Sequence, residues 1–358
     1  MGAPYFQWAD FLKAHDVAIC SSNFALYGDL SHRVMQTLSH FCSEIEIYSI
    51  DEAFLNMGEG PLQQARIIRE KVLQWTGIPV SIGIAPTKTL AKVANHIAKK
   101  NPQHKGVYFP TSQDLNAVLD QLDTQEIWGV GSRTASFLAT KGIHTAGQLR
   151  DLPDIWVKKH LSVTGLRTVW ELQGIPCSGL ADAMPPKQTI MTSRSFGQPV
   201  TTQEHLLEAI CSFTARGAEK LREEGSLASW LQVFTLIGGH AHVTLPEPTD
   251  YTPTLLDYAS RAIRSIFRPG LAYKKAGILL GGLVPASRYQ PDLFIPQDPA
   301  TALKRKNAMA LLDQANHDFG YNILHFASQG IVRPWKKKSN MRSAAFTTRW
   351  SELLTIPI

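Results

Sequence analysis

The sequence predicts an α+β protein of several domains. Three observations point to it: a length of 358 residues at roughly 150 per domain, two separate stretches in which strand and helix patterns alternate, and a run of short helices with glycine turns between them. Hydrophobic residues make up 44% and charged residues 18%, with 25 Gly and 21 Pro, which excludes a disordered, collagen-like or coiled-coil chain. The longest apolar run, residues 276–286, is far shorter than the ~20 residues of a membrane-spanning helix.

Residues 27–41 place Leu30, Val34, Leu38 and Phe41 at helical spacing. An alternating strand over 45–50 follows, then Asp51-Glu52, then an apolar strand over 53–57 that stops at Gly58 and Gly60. A helix over 63–75, a strand over 80–84 stopped by Pro86 and a helix over 88–100 complete an αββαβα order, a ferredoxin-like unit without its first strand. Beyond a loop, Trp128-Gly-Val-Gly131 precedes a helix over 132–141, a turn at Gly142 and a short helix through Leu149. Pro185 and Pro186 mark a linker. After it the order is strand (189–196), helix (203–224), strands (230–237 and 240–245), helix (255–267) and strand (276–283), a full βαββαβ unit. From Pro285 the chain becomes richer in Pro, Gln, Asp and basic residues, with room for a short helix over 308–312.

Four cysteines, Cys20, Cys42, Cys177 and Cys211, form no CxxC pair, and Asp10 and Lys13 interrupt the apolar residues near the start. This composition is that of a reduced, cytoplasmic protein. The formal charge is +6, and from Gly330 onward six Lys and Arg residues stand against Glu352 alone. Such a tail is either a solvated arm or a contact for nucleic acid or an acidic protein.

Adjacent side chains on a strand point to opposite faces, so Asp51 and Glu52 can serve one site only where the backbone bends at the hairpin. The pair is either a solvated acidic turn or a ligand set for a divalent ion, since Mg²⁺ takes hard oxygen ligands and shares them with substrate phosphates. Lys88, Lys92 and Lys99 lie on one face of the 88–100 helix, opposite Leu90, Val93, Ala94 and Ile97. They form a solvated stripe or cations aimed at phosphates. Gly129 and Gly131 suit a plain turn or a helix-hairpin-helix whose amides approach a phosphate. His240 and His242 lack a third ligand at metal spacing and read as core or surface histidines. Leu293-Phe294, between Pro285 and Pro296, is a packing anchor or a docking peptide.

Together these segments resemble the Y-family translesion DNA polymerases. The resemblance runs through Tyr48-Ser-Ile-Asp-Glu-Ala-Phe54, Gly83-Ile-Ala-Pro-Thr-Lys-Thr-Leu-Ala-Lys92, Asn95-His-Ile-Ala-Lys-Lys100, Trp128-Gly-Val-Gly131, Ser193-Arg-Ser-Phe-Gly197 and Thr347-Thr-Arg349. It implies error-prone DNA synthesis in the SOS response, with Asp51 and Glu52 catalytic and holding Mg²⁺, and Lys99 and Lys92 at the triphosphate of the incoming dNTP. It implies a fingers remnant over 1–25, a palm over 26–110, a helix-hairpin-helix thumb over 111–184 with Gly129 and Gly131 on DNA, and a little finger over 185–284 with Arg194 on DNA. The tail over 285–358 would carry Gln290, Leu293 and Phe294 as a peptide for the DNA sliding clamp and a basic region for processed UmuD and RecA.

Residues 1–5 match an internal segment of the family pattern. The resemblance therefore implies that the chain lacks about fifty N-terminal residues of the family pattern, among them a first palm strand with a further metal-binding Asp, an aromatic gate against ribonucleotides, and a Tyr and an Arg on the triphosphate. The alternative to a polymerase is a truncated, non-catalytic DNA- and sliding-clamp-binding fragment.

Overall fold

The computed structural model describes residues 3–180, 186–290, 298–320, 322–336, 339 and 341–356. The chain divides into two compact units, residues 1–184 with 341–358, and residues 185–340.

The first unit begins with α1 (Tyr5–Ala14) and α2 (Phe24–Ser39), followed by β1 (Ile45–Ile47) and β2 (Ala53–Leu55). The two strands pair antiparallel with Ile45 opposite Leu55. Strand β1 ends three residues sooner than the sequence pattern suggests, where the amides of Tyr48 and Ser49 both donate to the Glu52 carbonyl, at 3.0 Å each, and close the hairpin; β2 starts as expected and ends two residues sooner. Helix α3 (Pro61–Thr76) packs Ile68 and Val72 against Val34, Met35 and Leu38 of α2, and Ile45, Ala53 and Leu55 close that core from the strand side.

Strand β3 (Ile82–Gly83) leads into α4 (Lys88–Lys100), and β4 (Val107–Tyr108) returns to pair parallel with β3. Gly83 is required there: a Cβ would stand 2.0 Å from the Asn95 amide and 2.4 Å from the Ala91 carbonyl, so only glycine lets α4 cross this close. Among the described residues no strand joins the β1–β2 ladder to the β3–β4 ladder.

Four helices follow: α5 (Ser112–Gln121), α6 (Ser132–Thr140), α7 (Ala146–Arg150) and α8 (Asp154–Leu172). Their core contains Leu119, Leu138, Leu149, Val157, Val169 and Leu172, and it also takes in Leu90 and Val93 from the apolar face of α4. Helix α8 is broken at Ser162, whose φ of 67° and ψ of −176° are not helical. Residues 341–356 belong to this unit as well; the Ser21 amide donates to the Met341 carbonyl at 2.7 Å, and the Asn23 side chain donates to the Ser343 carbonyl at 3.1 Å.

The second unit is an antiparallel sheet under two helices. Its elements are β5 (Thr189–Val200), α9 (Gln203–Glu223), β6 (Ser226–Thr235), β7 (Gly239–Thr249), α10 (Thr252–Ile266), β8 (Tyr273–Gly281) and β9 (Val284–Pro285), in the expected βαββαβ order. The sheet order is β5-β8-β6-β7, with β9 paired to the start of β6. Period-two alternation decides the faces. Leu231 and Val233 of β6 are buried opposite Leu280 and Ile278 of β8, beneath Leu206, Ile210 and Leu255 of the helices. On the other face the rings of Phe234 and Trp230 lie over Gly277 and Gly281, where a Cβ would come within 2.6 and 2.0 Å of ring atoms.

The short helix anticipated over 308–312 is α11 (Pro299–Phe319), a full 21 residues started by the Asp298 side chain, which accepts from the Ala300 and Thr301 amides. It is fastened to α9 through Arg222, which donates to both carboxylate oxygens of Asp313 at 2.6 and 2.8 Å. Trp335 then enters the core of this unit edge-on to Phe213, with ring centroids 5.6 Å apart.

Candidate functional site

The hairpin between β1 and β2 brings Asp51 and Glu52 to the strand ends. The Ser49 hydroxyl donates to Asp51 Oδ1 at 2.7 Å, the Ser31 hydroxyl donates to the Ile50 carbonyl, and Asp51 is otherwise exposed. Glu52 faces α4, where Lys92 Nζ donates to its Oε2 at 2.8 Å. One turn earlier Lys88 Nζ donates to Glu46 Oε2 at 2.6 Å. The side chains of Lys88 and Lys92 are only 10% and 20% exposed, so these pairs are partly shielded from solvent screening.

Three aromatic rings surround the Lys92 ammonium. The ring centres of Tyr48, Trp128 and Phe54 lie 4.5, 5.3 and 5.9 Å from Nζ, within the range of cation–π attraction. Trp128 Nε1 donates to the Tyr48 hydroxyl at 3.0 Å, which fixes the box. Lys99 lies on the same helix about 10 Å further along, at 1.5 Å per residue, is exposed, and forms no ion pair among the described residues. The lysine stripe is therefore divided: Lys88 and Lys92 hold the hairpin, and Lys99 is left to solvent.

The donor set suits a hard divalent ion. Asp51 and Glu52 offer carboxylate oxygens from adjacent residues at a backbone bend, and the ammonium of Lys92 already stands as a cation on Glu52. Among the described residues no cluster of three or more His, Cys, Asp or Glu could enclose a metal by itself, so any ion here would share its coordination with substrate oxygens or water.

Gly129 has a φ of +91°, in the left-handed region that favours glycine, and Gly131 precedes α6 with no side chain capping that helix. Beside them an open groove of about 470 Å³ is lined by Gly129, Val130, Lys158, Lys159, His160 and Ser162. In the second unit Arg194 is exposed on β5 and close to Lys220 of α9. Burial, then the charges of Arg216 and Arg194, hold the Lys220 ammonium below its usual pKa. Gln290 is exposed, whereas Leu293 and Phe294 lie outside the described residues.

Sequence reasoning singled out the carboxylate pair and the lysines but gave no role to Tyr48, Trp128 or Glu46. Trp128 stands 80 residues from Tyr48, and only its place beside the glycine hairpin signalled it.

The pattern of the impB/mucB/samB family matches residues 1–96, that of its C-terminal domain residues 187–293, and a domain of unknown function (DUF4113) residues 306–356. Protein UmuC of Salmonella typhimurium is 38% identical over 99% of this chain and 88% of its own length. The chain belongs to the impB/mucB/samB family. Another impB/mucB/samB relative, protein SamB of Salmonella typhimurium, is 37% identical over 99% of this chain and 87% of its own length, and DNA polymerase IV of Moorella thermoacetica is 27% identical over 84% and 76%. A solved Y-family DNA polymerase chimera shares the fold at a TM-score of 0.58, with 20% identity over 73% of this chain and 77% of that one. The α+β multidomain architecture expected from the sequence is thus that of a Y-family polymerase.

Proposed function

We propose that this chain carries out error-prone translesion DNA synthesis in the SOS response to DNA damage, working in the cytoplasm on primer-template DNA and dNTPs. It is by family a DNA-directed DNA polymerase. The observation that carries the reading is the Asp51–Glu52 hairpin set against a lysine-bearing helix, in a chain so similar to UmuC. Asp51 and Glu52 would hold Mg²⁺, which supplies Lewis acidity and charge neutralisation for attack of the primer 3′-hydroxyl on the nucleotide, with loss of pyrophosphate.

The residues of the chain have separate tasks in that reaction. Lys99, with no acidic partner among the described residues, would attract the triphosphate. Lys92 would keep Glu52 oriented and add its positive charge to the side of α4 that meets the triphosphate. Gly129 and Gly131, with Lys158 and Lys159 beside them, would take phosphates of the duplex, and Arg194 would do so from the second unit. Gln290, Leu293 and Phe294 would seat on the sliding clamp, and the basic residues beyond Gly330 would meet processed UmuD and RecA.

Primer extension with Mg²⁺ and all four dNTPs on intact and damaged templates, with processed UmuD and RecA added, tests this. Asp51→Ala and Glu52→Ala are each expected to cut extension by at least 100-fold with DNA affinity unchanged. Undiminished extension by Asp51→Ala would overturn the assignment of the site. Salt-dependent DNA binding without any extension would overturn the polymerase reading in favour of a non-catalytic DNA-binding protein.

A further inference from the structure

We propose that Glu171 is a positioning residue for nucleotide binding: from α8 it grips the N-terminus of α4 and so fixes where α4 presents Lys92 and Lys99. The inference rests on the polymerase reading above.

Glu171 is 3% exposed and is the single acidic side chain among the buried described residues. Its Oε2 accepts from the Thr89 amide at 2.9 Å and from the Thr89 hydroxyl at 2.6 Å. Its Oε1 accepts from the Ser178 amide at 3.1 Å, and its carbonyl accepts from the Thr87 hydroxyl at 2.8 Å. No Lys, Arg or His pairs with it among the described residues. The buried charge is held by amides, hydroxyls and the positive end of the α4 dipole. A carboxylate is costly to bury, so its partners hold it firmly in place.

Capping alone does not account for it. Thr87 already caps α4, its hydroxyl oxygen accepting from the Leu90 amide at 3.3 Å. A second acceptor from 82 residues away ties one helix to another. Helix α8 has a further contact on the same side, one turn earlier: Thr168 Oγ1 stands 3.4 Å from where a side chain on Gly129 would begin. A single helix therefore touches both the glycine hairpin and the N-terminus of the lysine helix. Leu90 and Val93 share an apolar core with Leu166, Val169 and Leu172 of α8, and the Glu171 bonds add a directional polar tie at the start of α4 that this packing does not supply.

Glu171→Gln tests the proposal in the full chain. The variant keeps the volume, but it has one accepting oxygen where the carboxylate has two, so either the Ser178 amide or Thr89 loses its acceptor. Binding of the next complementary dNTP to a complex with dideoxy-terminated primer-template is measured at equilibrium, so no turnover is needed. The variant is expected to bind dNTP at least tenfold more weakly, with primer-template affinity within twofold of the parent and faster amide exchange at Thr89 and Leu90. Leu119→Ala, which truncates a core residue outside this contact, is expected to lower Tm while leaving dNTP affinity intact.

Equal dNTP affinity in Glu171→Gln and the parent would overturn the inference, as would an equal loss in Leu119→Ala at matched Tm. If the parent complex itself shows no dNTP-dependent binding, the polymerase reading falls and this inference with it.

Discussion

At the scale of the residue, the Lys92–Glu52 pair shows how the β1–β2 hairpin is held against α4. The ammonium gains from the carboxylate at 2.8 Å and from three ring faces, and each cation–π contact at a partly buried site contributes ~1 kcal/mol. A divalent ion held by Glu52 would compete with this ammonium. His96, on the same helix, reports the surroundings by titration. Burial pushes its imidazole below the ordinary value near 6.5, Lys100 and Lys99 push the same way, and Glu126 at 3.6 Å pulls it back. The unfolded chain therefore binds this proton more readily than the folded one, and stability falls as pH drops through about 6.5 toward the folded value. We expect His96→Gln to lose less Tm than the parent between pH 7.5 and pH 5.5. Parallel losses in the two proteins would show that His96 does not carry this dependence.

At the scale of the element, α8 contains a residue that its conformation does not suit. Ser162, with φ 67° and ψ −176°, occupies a region that is essentially glycine's own, at a cost of about 1–3 kcal/mol. Ser162→Gly is expected to stabilise the chain by about 1 kcal/mol in denaturant melts, and a destabilised variant would show that the serine side chain makes up for the strain. The break, like α8 itself, was not legible in the sequence, because the apolar positions of 154–172 drift out of register where the helix kinks. By contrast α4, with lysines and apolar residues on opposite faces, and α9, with its long amphipathic run, were readable from periodicity alone. The carboxylate hairpin was readable because apolar strands flank it. The aromatic box and Glu171 were not, since each depends on partners about 80 residues away that no local pattern brings together. Helix α11 was underestimated because it buries only Met309, and its hold on α9 is a long-range ion pair from Arg222.

At the scale of the whole molecule, a net charge of +6 is small for a DNA-binding protein, so affinity must come from where the cations sit. Lys158 and Lys159 line the groove beside Gly129, and Arg194 and Lys220 form a separate basic cluster in the second unit. Each cation that meets a phosphate releases a condensed counterion, which lowers the slope of log K against log salt by about 0.9 on duplex DNA. These contributions add whatever bases are present, because phosphates carry no sequence. We expect Lys158→Ala with Lys159→Ala to reduce the magnitude of the slope by about 2, and by the same amount on several unrelated primer-template sequences. Arg194→Ala should remove about one further unit, because each phosphate contact releases its own counterion. The measurement is a salt titration of primer-template affinity for the parent, the double variant and the triple variant. An unchanged slope in the double variant would show that the groove beside the glycine hairpin does not face the DNA backbone, and a loss confined to one sequence would show that these lysines read bases.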